Sequence, residues 1–163
     1  NGHDSIWHIA LSEGLSRGTF ENPVFAGESI KNYHIGFDLL LALLHNITTI
    51  PISILYFQIL PVIFSALIGV LVYKFVYLWR GSKVESLWAV FFVYFGSSFG
   101  FIVTFLRGGQ ITGESMFWSQ QSISTLINPP FTLSLIFILL GLIALQKKKL
   151  LLSILFFWDI NTS

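Results

Sequence analysis

The sequence predicts an all-α fold, that of a polytopic helical membrane protein whose external N-terminal segment carries short interfacial helices. Hydrophobic residues make up 54% of the chain and charged residues only 10%, whereas soluble domains carry about 25% charged residues. Long apolar runs without a charged residue begin at Ile52, Ser86 and Pro130. Runs of this length and composition are typical of helices that cross a bilayer.

Residues 1–51 form the predicted external segment. Its first 38 residues hold five of the eight acidic residues of the chain, which are Asp4, Glu13, Glu21, Glu28 and Asp38. Three of the four histidines lie there as well. Because ionisable groups avoid the hydrocarbon core of a membrane, we expect the chemistry of the protein at this water-facing end.

The first helix is predicted from Ser5 to about Ser12, with Asp4 as its N-cap and Gly14 as its end. One side of this helix is apolar, which suits a position at the membrane surface. Residues 13–31 are rich in Gly, Pro, Asn and Ser and are predicted to form a loop.

Residues 52–163 form the predicted transmembrane region. Its spans cover about 52–79, 86–106 and 130–146, and another span begins at 150–158. Gly81 and Ser82 are expected to form a tight turn between the first two spans. Pro61 and Gly69 lie inside the first span, where they are expected to kink the helix.

The orientation depends on residues 35–50, whose apolar run is short for a crossing and is interpreted as interfacial or re-entrant. One side of the membrane then holds six basic residues, Lys74, Arg80, Lys83, Lys147, Lys148 and Lys149, and the other holds Arg17, Lys31 and Arg107. By the positive-inside rule, we expect an integral protein of the plasma (inner) membrane with its N-terminal segment outside. A crossing by residues 35–50 would invert the N-terminal segment.

Composition also limits the classes of partner that we expect. The formal net charge is +1, and no recognition motif for nucleic acid is present, so the expected partner is membrane lipid and no nucleic acid. The chain has no cysteine and therefore no disulfide framework and no thiolate metal site.

Asp4 is the first candidate for a catalytic residue. Its carboxylate could serve only as a helix cap, where the helix dipole favours negative charge. It could instead take a proton from an acceptor hydroxyl or amide, or contact a metal ion on a donor phosphate. One position can combine the two roles.

Histidine and carboxylate recur four residues apart in the pairs Asp4/His8 and His34/Asp38, a spacing that places each pair on one face if the chain is helical there. A divalent metal ion could use Asp4 and His8, since both are ordinary ligands. A hydrogen bond between imidazole and carboxylate is the simpler interpretation of this spacing.

Further substrate contacts are expected from His3 and Tyr33. Others are expected from the second external loop, which is predicted at residues 107–128. Arg107 stands at the external end of a span, where it either anchors the helix at the interface or binds an anionic phosphate with its guanidinium group. In the same loop Gln120 and Gln121 could hydrogen-bond the hydroxyl groups of a sugar.

Two segments carry a family resemblance. Residues 2–10 are Gly-His-Asp-Ser-Ile-Trp-His-Ile-Ala, and residues 32–44 are Asn-Tyr-His-Ile-Gly-Phe-Asp-Leu-Leu-Leu-Ala-Leu-Leu. Followed by a long span, they resemble the acidic motif and the surface helices of the first external loop in the GT-C superfamily. Its members are integral-membrane glycosyltransferases that take sugars from polyprenyl-phosphate or dolichyl-phosphate carriers.

The resemblance implies an inverting transfer from a lipid-linked sugar donor, with Asp4 as the base or as the contact to a metal ion or phosphate. It implies that a basic residue binds the lipid phosphate, and Arg107 is the candidate for that role. It does not decide whether a divalent metal ion is a cofactor. In that family a membrane helix precedes the acidic motif, so the chain is expected to be an N-terminal fragment without that helix.

Two other functions fit the same composition. A transporter segment for a neutral or lipid-like solute would place its polar site inside the spans. A non-catalytic membrane scaffold would explain the spans but not the grouping of Asp4, His8, His34 and Asp38 in one segment.

Overall fold

The computed structural model describes residues 2–25, 27–31, 33–96, 105–108 and 128–160, with the side chains of residues 2–4 and 157–160 left out of the description. Its helices are α1 (Gly2–Ser16), α2 (Gly36–Thr48), α3 (Ile52–Ile54), α4 (Leu60–Arg80), α5 (Lys83–Phe95), α6 (Pro129–Gln146) and α7 (Leu150–Ile160). Within the described ranges the β contacts amount to one isolated antiparallel bridge between Glu21 and Ser29. The all-α class is therefore confirmed.

Two helices are long and apolar enough to cross a membrane. The first is Ile52–Arg80, in which a π-helical turn, Leu55–Ile59, joins α3 to α4, and the second is α6. They coincide with the first and third predicted spans. For the predicted span 86–106 the structure describes α5, which starts three residues earlier, and residues 97–104 lie outside the described part. The start of a further helix near residue 150 is confirmed by α7.

The first helix differs from the prediction at both ends. It begins at Gly2, so Asp4 lies inside its first turn and is not the N-cap. It continues through Gly14 to Ser16, because the extra turn buries Leu15 to 8% exposure beside α2. Burying a leucine stabilises the fold by about 2 kcal/mol, which outweighs the cost of about 1 kcal/mol for a glycine inside a helix.

The second helix packs along the first. Leu11 and Leu15 of α1 meet Ala42 of α2 in a small apolar cluster, and the Asn46 side-chain amide donates to the carbonyl oxygen of Ser16 at 3.1 Å. At about 1.5 Å per residue α2 is roughly 20 Å long, shorter than the hydrocarbon core of about 30 Å. The two helices thus form a unit beside the start of Ile52–Arg80, with which they share buried contacts.

The turn between α4 and α5 confirms the predicted role of Gly81 and Ser82. Gly81 adopts the left-handed conformation with φ of 69°, and its N–H donates to the carbonyl oxygen of Tyr77. Ser82 is the N-cap of α5, and its hydroxyl oxygen accepts a hydrogen bond from the Glu85 N–H at 3.3 Å. The chain therefore reverses within two residues, and α5 packs back against α4.

The close approach between α4 and α5 requires a glycine at position 69. The Tyr94 hydroxyl of α5 donates to the carbonyl oxygen of Ser65 on α4. A Cβ atom at Gly69 would lie 2.5 Å from the Tyr94 hydroxyl oxygen and 3.0 Å from Cε2 of the ring. Gly69 therefore serves packing in this helix. On its other sides α4 packs against α6, and α6 packs against α7.

Candidate functional site

The structure brings a histidine and a carboxylate together across α1 and α2. The Nδ1 atom of His8 lies 2.8 Å from Oδ1 of Asp38, and the side chains are 15% and 0% exposed, respectively. A carboxylate oxygen accepts hydrogen bonds, so the His8 Nδ1–H donates to Asp38. In the neutral form of the ring this contact selects the tautomer with its proton on Nδ1, and the opposite ring nitrogen, Nε2, is then an acceptor.

Ser12 completes this polar contact from the next turn of α1. Its hydroxyl lies 2.7 Å from the carbonyl oxygen of His8 and 3.3 Å from Oδ1 of Asp38, and Ser12 is fully buried. Asp38 lies in the first turn of α2, where the partial positive charge of the helix N-terminus favours a carboxylate. Besides His8, Asp38 therefore has two local neighbours that suit a carboxyl group, the helix start and, at a longer distance, the Ser12 hydroxyl.

Two buried polar atoms at this contact have no hydrogen-bond partner among the described residues, Oδ2 of Asp38 and Nε1 of Trp7. Leaving a buried donor or acceptor unpaired costs about 1–3 kcal/mol. Oδ2 of Asp38 could therefore accept one more hydrogen bond and Nε1 of Trp7 could donate one. A polar group placed to form either bond would stabilise the structure.

Aromatic rings surround His8. Tyr56 stacks on its imidazole with ring centroids 6.1 Å apart, and Phe37 meets it edge-on at 5.8 Å. Both rings are buried to 2% exposure. Tyr33 lies 6.4 Å from His8 and 5.7 Å from Trp7 and is 38% exposed. His8 therefore lies between a buried aromatic floor and an accessible aromatic edge.

We call this arrangement the His8 site, and it comprises His8, Asp38, Ser12, Trp7, Tyr33, Phe37 and Tyr56. Tyr56 reaches it from the π-helical turn Leu55–Ile59, one turn before Pro61. Proline has no N–H to donate to the carbonyl four residues earlier, and its ring crowds that carbonyl, so the preceding turn is wider than an α-helical one. The wide turn contributes Tyr56 to the floor of the site.

His34 and Asp38 do not share a helix face, because the chain is not helical at His34. His34 is exposed and precedes α2, which begins at Gly36. Asp38 instead faces α1 and binds His8. The fourth histidine, His45, donates its Nδ1–H to the carbonyl oxygen of Ile50 at 2.7 Å and is a structural residue in α2.

The structure describes the remaining predicted site residues only in part. Asp4 lies one helical turn before His8 on α1, while its side chain and that of His3 are outside the described part. Gln120 and Gln121 lie outside it as well. Arg107 is exposed, and none of the described contacts joins it to the His8 site.

A metal ion at this site was tested against the donors present. The described residues contain no group of three or more His, Asp and Glu side chains arranged around one point. Oδ1 of Asp38 is directly hydrogen-bonded to His8, so these two side chains are partners of each other. The described donors therefore do not make up a metal centre.

Four members of the site were missed from the sequence, Ser12, Trp7, Phe37 and Tyr56. Trp7 and Phe37 directly precede His8 and Asp38, but neighbours in sequence point to different sides of a helix. Ser12 carried a signal, since it follows His8 by four residues on the same face. For Tyr56, which arrives from another helix, the sequence offers no local signal.

No protein-family model matches the chain, and neither a curated protein nor a solved structure shows significant similarity to it. The features that bear on function are the geometry of the His8 site and its position beside a long apolar helix.

Proposed function

We propose that the chain forms the active-site part of a membrane glycosyltransferase. It transfers a sugar from a polyprenyl-phosphate carrier to an acceptor on the external side of the plasma (inner) membrane. The observation that carries the proposal is the buried His8–Asp38 pair, partly open at an aromatic edge and located at the start of an apolar helix of 29 residues. A lipid-linked sugar needs this juxtaposition of polar and apolar surfaces.

The outer surface of the long helix supports insertion in a membrane. Large apolar side chains are exposed along it, namely Phe57, Val62, Ile63, Leu67 and Val70. Soluble proteins rarely expose continuous apolar surfaces of this kind. At the far end, Arg80 and Lys83 are exposed beside the Gly81 turn, which supports a cytoplasmic position for that end and an external one for the His8 site.

In the proposed reaction Asp4 takes the proton from the acceptor hydroxyl. The acceptor oxygen forms a bond to the anomeric carbon while the bond from that carbon to the phosphate oxygen breaks. The electron pair leaves with the polyprenyl phosphate, the configuration at the anomeric carbon inverts, and Arg107 stabilises the departing phosphate. Asp4 lies one turn from His8, so its base role would place the acceptor at the His8 site.

The test uses the full chain in lipid nanodiscs with a panel of polyprenyl-phosphate hexoses and pentoses and a membrane extract as the source of acceptor. Release of free polyprenyl phosphate is followed by mass spectrometry. We expect release with at least one donor and a loss of about 100-fold or more in Asp4→Asn, which is the usual contribution of a general base.

Glu13→Gln is the matched control, because Glu13 lies on the same helix and pairs at the surface with Arg17. Full release by Asp4→Asn, in a protein that inserts normally, would contradict the role of Asp4. Transport of a neutral sugar into vesicles without release of polyprenyl phosphate would support the transporter alternative.

A further inference from the structure

We infer that the His8 site is a carbohydrate subsite, in which Nε2 of His8 accepts a hydrogen bond from a sugar hydroxyl and Asp38 is the positioning residue that orients the ring and holds its proton on Nδ1. The identity of the sugar as donor or acceptor rests on the proposed function. The protonation of the ring and the binding of a simple sugar are properties of this chain alone, and they can be measured without any transfer reaction.

The free edge of the imidazole follows from its contacts. Nδ1 is bonded to Asp38, which is completely buried, yet 15% of the His8 side chain is exposed. Part of the His8 side chain is therefore accessible although its Nδ1 is held by a buried carboxylate. Among the described residues, Nε2 has no hydrogen-bond partner, and a neutral Nε2 accepts a hydrogen bond but cannot donate one.

The surroundings of that edge favour a neutral hydroxyl-rich ring over an anion. None of the described side chains in contact with His8 carries a Lys or Arg charge that would bind a phosphate. The accessible rings are Trp7 and Tyr33, set edge to face 5.7 Å apart. Flat aromatic surfaces pack against the apolar C–H faces of a sugar ring while its hydroxyls reach polar groups at the rim.

The hydrogen-bonding group that this edge offers to a ligand is Nε2 of His8. The indole N–H of Trp7 is buried, so Trp7 contributes the face of its ring, which borders Tyr33, as Tyr33 borders His8. A sugar suits this combination, because one of its hydroxyl groups can donate to Nε2 while its C–H face packs on the rings.

The first part of the test determines the protonation of His8. The full chain is labelled with ¹⁵N-histidine in nanodiscs, and the signals of its four histidines are assigned by single substitutions. We expect His8 to carry its proton on Nδ1, with Nε2 unprotonated. His45 is a built-in control, because its Nδ1–H is held by the Ile50 carbonyl oxygen. Asp38→Asn should give a mixture of the two tautomers at His8 and leave His45 unchanged.

The second part titrates the same sample with methyl glycosides of common hexoses and pentoses, and with tetrahydropyran as a ring that lacks hydroxyl groups. We expect a saturable shift of the His8 Nε2 signal with at least one glycoside and none with tetrahydropyran. Asp38→Asn should weaken the binding about tenfold, the effect of one lost hydrogen bond of ordinary strength. Glu13→Gln, whose side chain pairs with Arg17 at the surface and lies outside the His8 site, should bind as the unmodified chain does.

Tyr33→Leu provides a variant outside the buried pair, in case Asp38→Asn does not fold. It should lower sugar affinity several-fold without changing the His8 tautomer. A proton on Nε2 in the unmodified chain, or the absence of a saturable shift with every glycoside, would overturn the inference. Sugar binding without any release of polyprenyl phosphate would instead uphold the subsite and argue against the glycosyltransferase.

Discussion

His8 on α1 and Asp38 on α2 are 30 residues apart in the sequence and are joined by a hydrogen bond of 2.8 Å. The pair is asymmetric, because the carboxylate is completely buried while the imidazole is partly open. Removing the imidazole would leave a buried carboxylate with Ser12 as its remaining described donor. The bond therefore matters to the packing of the two helices as well as to the site.

We expect His8→Leu to lower the free energy of unfolding by about 3 kcal/mol, the typical cost of an uncompensated buried charge. The double variant His8→Leu/Asp38→Leu should recover most of this loss, since it removes the charge together with its partner. Denaturation in mixed micelles, followed by circular dichroism, measures both values. His34→Leu is the control, because His34 is exposed and should change stability by less than about 0.5 kcal/mol. A double variant no more stable than His8→Leu alone would contradict the coupling.

Gly69→Ala should destabilise the packing of α4 against α5 by about 1–3 kcal/mol, the usual cost of overpacking. The reason is the 2.5 Å approach of the added Cβ to the Tyr94 hydroxyl oxygen. In a Tyr94→Phe background the closest atom is absent, so Gly69→Ala should cost distinctly less there. Ser65→Ala is the matched control, because Tyr94 uses the carbonyl oxygen of Ser65 and not its side chain. Equal costs in the two backgrounds would contradict the contact.

Much of the fold could be predicted from the sequence, because its signals are local. The long apolar runs predicted the helices Ile52–Arg80 and Pro129–Gln146. Gly81 followed by Ser82 predicted the reversal, since glycine allows the left-handed conformation and serine caps the next helix. Each signal depends on residues a few positions apart, so no tertiary information was needed.

For the site, the sequence predicted some of the residues but not which of them contact each other. His8 and Asp38 were both candidates, but a four-residue spacing pairs residues on one helix and says nothing of a neighbouring helix. The end of α1 was misplaced for the same reason, because the burial of Leu15 against α2 outweighs the local stop signal of Gly14. The contribution of Tyr56 depends on a π-helical turn, which a periodicity of 3.6 residues does not anticipate.

The proposed orientation can be tested by cysteine labelling, because the chain has no native cysteine. Ser29→Cys lies in the exposed loop of the N-terminal segment, and Val84→Cys follows the turn after α4, where Val84 is 64% exposed. In intact cells a membrane-impermeant maleimide should label the first variant and reach the second only after permeabilisation. Lys149→Cys, beside α7, should behave as Val84→Cys does. Labelling of both ends from one side would contradict the topology.

Pro61→Ala tests whether the π-helical turn holds Tyr56 in the His8 site. The substitution restores an N–H at position 61 that can donate to the carbonyl oxygen of Phe57, so the turn can return to α-helical geometry. Removing the extra residue from the turn would rotate Tyr56 relative to α4 and away from His8, whose ring it now stacks on at 6.1 Å. We expect slower amide exchange at residues 57–61 together with a changed ring-current shift of the His8 imidazole protons. Ser65→Ala, one turn further along the helix, should leave both unchanged. A shift of His8 that stays constant in Pro61→Ala would show that packing against Phe37 holds Tyr56 in place without help from the turn.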